Sequence, residues 1–260
     1  MTGGELLART LARLEVEHFF YLIGGPMADA TRHCLELGLV GIDVRHEQAA
    51  AMAAHAYARV SGRPFGTFLR ERLFEPLGMR DTGFAVPPSQ IGRFTTEYES
   101  DPVTGGSVVR DPAEGGEWSR PPEFPSGAAG LVSTVDDYHA FAKMLLGGES
   151  HEGKPLLSRR SVVAMTTDHL TEAQRSDPVL PPGFFGASGW GYGVSIVIRA
   201  GDPTEPVGSY GWSGGLGTLW SNDPRADSVT ILLTQRMSDT PTPSPVVRDF
   251  VTLAHRAIVG

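Results

Sequence analysis

The stretch "RHEQAAAMAAHAYARVSGRPFGTFLRERLFEPLGM", Arg45–Met79, decides how this chain is read. Its left half, "EQAAAMAAHAYARV", is alanine-rich and predicts a helix ending at Gly62. Its right half, "FGTFLRERLFEPLGM", is an amphipathic helix ended by Pro76 and Gly78. The pattern of the chain differs on the two sides of "GRP", Gly62–Pro64. Upstream, Leu6, Leu7, Leu11 and Leu14 stand at helical spacing. "EHFFYLI" is a short apolar strand candidate, Gly24–Pro26 a turn, residues 26–37 a helix stopped by Gly38, and "LVGIDV" a second strand. The order α-β-α-β-α predicts parallel strands with right-handed crossovers.

Downstream the elements change. Residues 84–130 are rich in Gly, Pro and Ser and read as a long loop, of the kind that often lines a site. "STVDDYHAFAKMLLGG" opens on a Ser/Thr cap and closes on Gly147 and Gly148, a helix. "LLSRRSVVAMTTDHL" is a helix capped by Ser158. "GWGYGVSIVIR", "GSYGWSGGLGTLWSN" and "SVTILLTQR" are three strand candidates, expected to form an antiparallel meander. "SPVVRDFVTLAHRAIV" closes the chain as an amphipathic helix.

Composition narrows the function classes. The chain has 260 residues, is 40% hydrophobic and carries a net charge of −8. Its 22 Lys and Arg residues are scattered, which gives no reason to expect nucleic acid. No run of about 18 apolar residues predicts a membrane span. The N-terminus carries Glu5 and Arg9 inside an amphipathic pattern, unlike a signal peptide, so a cytoplasmic location is expected. The single cysteine, Cys34, sits on an apolar helical face and reads as core packing.

By spacing alone, Glu47 is an acid at a helix start, where the dipole favours its charge. The wider stretch says more. "GGELLARTLARLEVEHFF", "IGGPMADA" and "VRHEQAAAMAAHAYARVSGRP" together resemble the N-terminal pyrimidine-binding domain of thiamine-diphosphate enzymes, the acetolactate synthase group. The resemblance implies that Glu47 hydrogen-bonds the aminopyrimidine of the cofactor and that Gly24, Gly25 and Pro26 form the loop after the first strand. That family also holds its diphosphate through magnesium at a Gly-Asp-Gly motif, and this chain has none. In "AGDPTEP", Gly201 and Asp202 lack the second glycine. No cofactor is therefore expected. Thiamine diphosphate with magnesium belongs to the alternative in which Glu47 serves a binding module or half-site.

"GRPFGTFLRERLFEPLGMRDTGF", "FPSGAAGLVSTVDDYHAFAKMLLGG" and "YGWSGGLGTLW" resemble the class C-like β-lactamase-related serine hydrolases and esterases. The fold this implies is mixed α/β: a short parallel βαβ fragment over residues 1–64, then the C-terminal part of a β-lactamase/transpeptidase-like domain over 65–260. The resemblance places "WSGG" on the strand beside the active site, with Trp212, Ser213, Gly214 and Gly215 as site-lining residues. It also implies a Ser-x-x-Lys nucleophile and a Tyr-x-Asn proton relay. The only lysines, Lys143 and Lys154, follow Ala140 and His151 by three residues, so there is no Ser-x-x-Lys. Tyr98 is followed by Ser100 and Tyr192 by Val194, not by Asn. The expectation is a truncated hydrolase region without a complete active site. Its ancestor would have taken a small ester or amide substrate.

"GWSGG" also fits Gly-x-Ser-x-Gly, the nucleophile elbow, which needs a strand, a sharp turn and a helix. The residues after Ser213 read as continuing strand. A triad of Ser213 with Asp239 or Asp249 and His255 is formally available and disfavoured. His46 and His55 lack metal-ligand spacing; His139, His151 and His169 are isolated, and no metal site is expected. Trp118 and Phe124 either line an acyl pocket or pin their loop. In the resembled fold, N-terminal strands pair with the C-terminal ones. Without them an open sheet edge is expected, and a homodimer covering it is the alternative to an exposed hazard. A non-catalytic protein without a ligand is the remaining reading.

Overall fold

The computed structural model describes residues 3–13, 18–21, 28–43, 64–123, 125–127, 129–147, 153, 155–175, 185–200, 206–240 and 244–259. These fall into two compact units, one from residues 1–68 and 124–130, the other from residues 69–123 and 131–260.

The first unit holds α1 (Gly3–Arg13), β1 (His18–Tyr21), α2 (Ala28–Glu36) and β2 (Val40–Asp43). β1 and β2 pair in parallel, His18 opposite Val40 and Tyr21 opposite Asp43, as the element order predicts. Ala8, Cys34 and Leu39 are buried together, with Leu11 and Ala12 packed on them. Cys34 is core packing, and burial pushes its thiol pKa up. Gly38, at φ 83°, lets the chain leave α2: its N–H reaches Leu35 O, and Leu39 N–H reaches Cys34 O. The alanine-rich segment after Glu47, with His46 and His55, lies outside the described residues.

The helix after Pro64 is not regular. Phe65–Leu69 (α3) passes into a π-helical segment, Arg70–Phe74, and then into Glu75–Leu77 (α4). Pro76 does not end this helix; it stands at the start of α4, directly after the π-helical segment. Gly78 ends it, at φ 73°.

Residues 84–130 are more ordered than a loop. β3 (Glu97–Ser100) and β4 (Ser107–Asp111) form an antiparallel hairpin. Thr104–Gly106 makes its turn, with Gly105 at φ 69°. Its two valines, Val108 and Val109, are adjacent and both exposed, so the apolar alternation that reveals a strand is missing here. Trp118 is buried and its ring meets Phe94 at 6.4 Å, while its carbonyl accepts from Val86 N–H. It pins the segment; Phe124 lies outside the described residues.

α5 (Val135–Leu145) is capped by Thr134, whose hydroxyl accepts from Asp137 N–H. α6 (Arg159–Met165) is capped in the same way by Ser158 on Ser161. α7 is the short Glu172–Arg175, and α8 is Pro245–Val259.

The sheet is an antiparallel meander, but of five strands rather than three: β5 (Ser188–Trp190), β6 (Ser195–Val197), β7 (Tyr210–Gly214), β8 (Thr218–Asp223) and β9 (Ser228–Leu233), in that order. Two of the sequence candidates are each a hairpin. Gly191–Val194 and Gly215–Gly217 are the turns, with Gly193 at φ 86° and Gly217 at φ 79°. β-Branched and aromatic residues on both sides hid those turns.

The core lies between the sheet and α5. Phe74, Leu77, Met79, Ala142, Leu145 and Ile196 are buried there with Tyr210 and Trp220. The rings of Tyr138, Phe141 and Trp220 meet edge-on, 5.6 to 5.8 Å apart. Asn222, fully buried, accepts from Trp220 Nε1 and donates to Ala142 O and the Tyr210 hydroxyl.

Asp168 fastens β5. It accepts from Trp190 N–H at 3.0 Å and Leu170 N–H at 3.1 Å, and pairs with Arg175. Burial raises its pKa, but the two amides and the guanidinium outweigh this and hold the carboxyl below its ordinary value. A depressed carboxyl contributes stability above the unfolded pKa of about 3.9 and loses it as the pH falls through the folded value. Acid titration of stability is therefore expected to steepen below about pH 4. Asp168→Asn should remove that part of the acid dependence, read by urea denaturation at stepped pH.

Candidate functional site

The "WSGG" segment stands where β7 turns into β8. Trp212 pairs with Trp220, Ser213 with Leu219 and Gly214 with Thr218. Side chains alternate across a strand, so Trp212 and Ser213 face opposite sides. Trp212 shares the parity of buried Tyr210. It is 43% exposed, and its ring meets Trp190 edge-on at 4.5 Å. Ser213 shares the side of Leu219 and Ser221. That side forms a groove of about 180 Å³ against α8, lined by Ser195, Ser213, Ser221, Thr230 and, from α8, His255 and Ile258. Trp212 and Ser213 both line this groove, with their side chains on opposite sides of the strand.

The nucleophile-elbow reading fails on the local structure. Ser213 lies in a strand that runs through a hairpin turn into another strand, with no helix after it. Its hydroxyl has no hydrogen-bond partner among the described residues. Asp239 is engaged elsewhere: it accepts from Ser100 Oγ and pairs with Arg236 at 3.4 Å. Among the described residues no hydrogen bond joins His255 to Asp249 or to Asp239. Asp249 is exposed on α8.

Tertiary structure brings an unforeseen group to this hairpin. The β3 residue Tyr98 donates its N–H to Gln235 O and accepts from Met237 N–H, while Ser238 N–H donates to Gly215 O. Arg236 bonds Ser100 and also Ser107, at 3.3 Å to the latter. Ser100 and Arg236 are 136 residues apart, so no spacing in the sequence signals them. His169 is exposed, stacks on Tyr192 at 4.4 Å and lies 2.7 Å from Ala164 O. His139 is exposed on α5, and His151 lies outside the described residues.

Gly24, Gly25, Pro26 and Glu47 also lie outside the described residues. Among the described residues no group of three His, Cys, Asp or Glu side chains could hold a metal ion. The donors a magnesium-diphosphate group requires are not supplied by these residues. Also among them, no helix is long and apolar enough to cross a membrane.

EstCE1, "a hydrolase with promiscuous acyltransferase activity", shares the fold at a TM-score of 0.62 and 19% identity, over 88% of this chain and 61% of that one. The chain belongs to the beta-lactamase family, whose family model matches residues 41–249. A second family model, "Thiamine pyrophosphate enzyme, N-terminal TPP binding domain", matches residues 1–69. The two resemblances read from the sequence are therefore both present. Protein Rv1367c of Mycobacterium tuberculosis is 33% identical over 76% of this chain and 50% of its own length. Esterase EstB of Burkholderia gladioli is 27% identical over 67% of this chain and 45% of its own. The chain thus spans about half the length of these curated relatives.

Proposed function

We propose that this chain is a non-catalytic member of the beta-lactamase family, carrying one wall of an ester- or amide-hydrolysing site without its nucleophile. The observation that carries this is the setting of Ser213. It stands in a β-hairpin and, among the described residues, has no partner to take its proton and no helix following it. Acyl transfer needs an activated hydroxyl and, beside it, donors for the oxyanion. The chain offers no Ser-x-x-Lys to supply the first. The kinship with an esterase and the fold shared with EstCE1 favour esters over other substrates for the ancestral site.

Incubation with p-nitrophenyl acetate and with nitrocefin is expected to give turnover indistinguishable from buffer. Turnover that vanishes in Ser213→Ala would overturn the reading and restore Ser213 as nucleophile.

The match of residues 1–69 to the thiamine enzymes' N-terminal domain favours a second reading, a cofactor-binding module centred on Glu47. One carboxylate without a diphosphate anchor leaves most of the cofactor's charge unmet. Titration calorimetry with thiamine diphosphate and magnesium is therefore expected to show no binding heat. Binding that is abolished by Glu47→Gln would establish the module instead.

A further inference from the structure

β9 ends the sheet: along Ser228–Leu233 it pairs with β8 on one side and, among the described residues, with no strand on the other. Beside that open edge runs a groove of about 410 Å³, walled by Asp136 and His139 of α5 and by Phe250 and Ile258 of α8, with Thr230 and Ile231 at its floor. A helix on each side of an unpaired strand leaves room for one more extended strand, added by main-chain hydrogen bonds. Val135 and Ile258 of its lining expose 51% and 44% of their surfaces, and Leu233, at the end of β9, exposes 40%. β9 carries none of the usual guards of an edge: no Lys, no Pro and no register shift interrupts Ser228–Leu233.

We infer that this groove takes the β9 strand of a second copy, joining two sheets antiparallel about a twofold axis at Ile231. Charge selects this occupant. Residues 228–234 are neutral, so two copies place no like charges opposite each other. The lining offers a charged partner only Asp136 and His139. Face selects the register. Val229 and Ile231 pack on the core beside Trp220, while Ser228, Thr230 and Leu232 have the opposite parity. A one-residue slip would set the two classes against each other. With the axis at Ile231, the midpoint of 228–234, Ile231 meets Ile231, Val229 meets Leu233 and Thr230 meets Leu232. Apolar side chains then pair on the core side, and the whole run is used.

Sedimentation equilibrium of the full chain across the micromolar range is expected to show a dimer. Leu233→Lys puts a charge on an exposed edge position and should weaken the dimer about tenfold or more, with circular dichroism unchanged. Ile231→Cys should cross-link two copies under mild oxidation, because facing antiparallel residues lie about 4.5–5.5 Å apart at Cα, within disulfide reach. The parent, whose one cysteine is the buried Cys34, should not cross-link. A chain that stays monomeric overturns the inference. So does a dimer that forms no Ile231→Cys cross-link, and so do open-ended aggregates. The cross-link decides the matter even if Leu233→Lys fails to fold. None of these outcomes depends on whether the chain hydrolyses an ester.

Discussion

Asn222→Ala is expected to destabilise the sheet-bearing unit by about 2–5 kcal/mol. The side chain is fully buried and holds three elements at once. Its Oδ1 accepts from Trp220 Nε1 at 2.8 Å; its Nδ2 donates to Ala142 O at 2.8 Å and to the Tyr210 hydroxyl at 3.2 Å. Truncation leaves the indole N–H buried without a partner, at a cost of about 1–3 kcal/mol, while Ala142 O keeps the helical bond from Leu146 N–H. The Tyr210 hydroxyl suffers less, since it still donates to Leu145 O at 2.8 Å. The cost should appear as a lower urea midpoint with an unchanged slope, because the surface exposed on unfolding is nearly the same. A midpoint within error of the parent would mean that water or rearrangement satisfies the indole N–H. A change to leucine, similar in volume, separates packing from hydrogen bonding: it fills the space and still strands the indole N–H.

Gly217→Ala is expected to cost about 3 kcal/mol or more, through two effects at one atom. The residue sits at φ 79°, a conformation a side chain disfavours. A Cβ there would also lie 2.0 Å from Arg236 O and 2.3 Å from Thr234 Oγ1. The first of these is backbone and cannot swing away. The turn joining β7 to β8 would have to part from the segment after β9, breaking the bonds from Thr234 N–H and Oγ1 to Gly217 O. Gly215→Ala, two residues away, is the control: a Cβ there meets nothing within 4 Å. It should be near neutral in the same thermal melt. Equal losses for both would show that the turn tolerates displacement and that the clash is relieved.

The same hairpin shows why part of the fold was legible and part was not. Local chemistry wrote the helix ends: Thr134, Ser158 and Gly78 each act within a turn of themselves, and each stands where its sequence context places it. The parallel β1–β2 pair came from element order alone, because the crossover rule is topological. Counting strands failed at Gly191–Val194 and Gly215–Gly217, where a turn between two aromatic or β-branched runs keeps the composition of strand throughout. The β3–β4 hairpin was missed for the opposite reason, since its exposed residues carry too little apolar alternation to stand out from loop.

The candidate site divides in the same way. Sequence motif matching placed Trp212–Gly215 on a strand, which holds for Trp212, Ser213 and Gly214, while Gly215 opens the turn. It could not say that Trp212 and Ser213 look to opposite faces, a consequence of the pleat once the pairing partner is known. Nor could it place Ser100, Arg236 and Asp239 together, because long-range proximity has no period in the chain.

By itself the sequence determined the two parentages, the helix caps at Thr134 and Ser158 and the absence of a Ser-x-x-Lys pair, since each is written in residues near one another. Only the tertiary structure decided which side chains share a face, what Asp168 and Asn222 hold, and that β9 is an edge strand among the described residues. Those depend on pairing between distant segments, where burial and hydrogen-bond geometry act rather than local propensity.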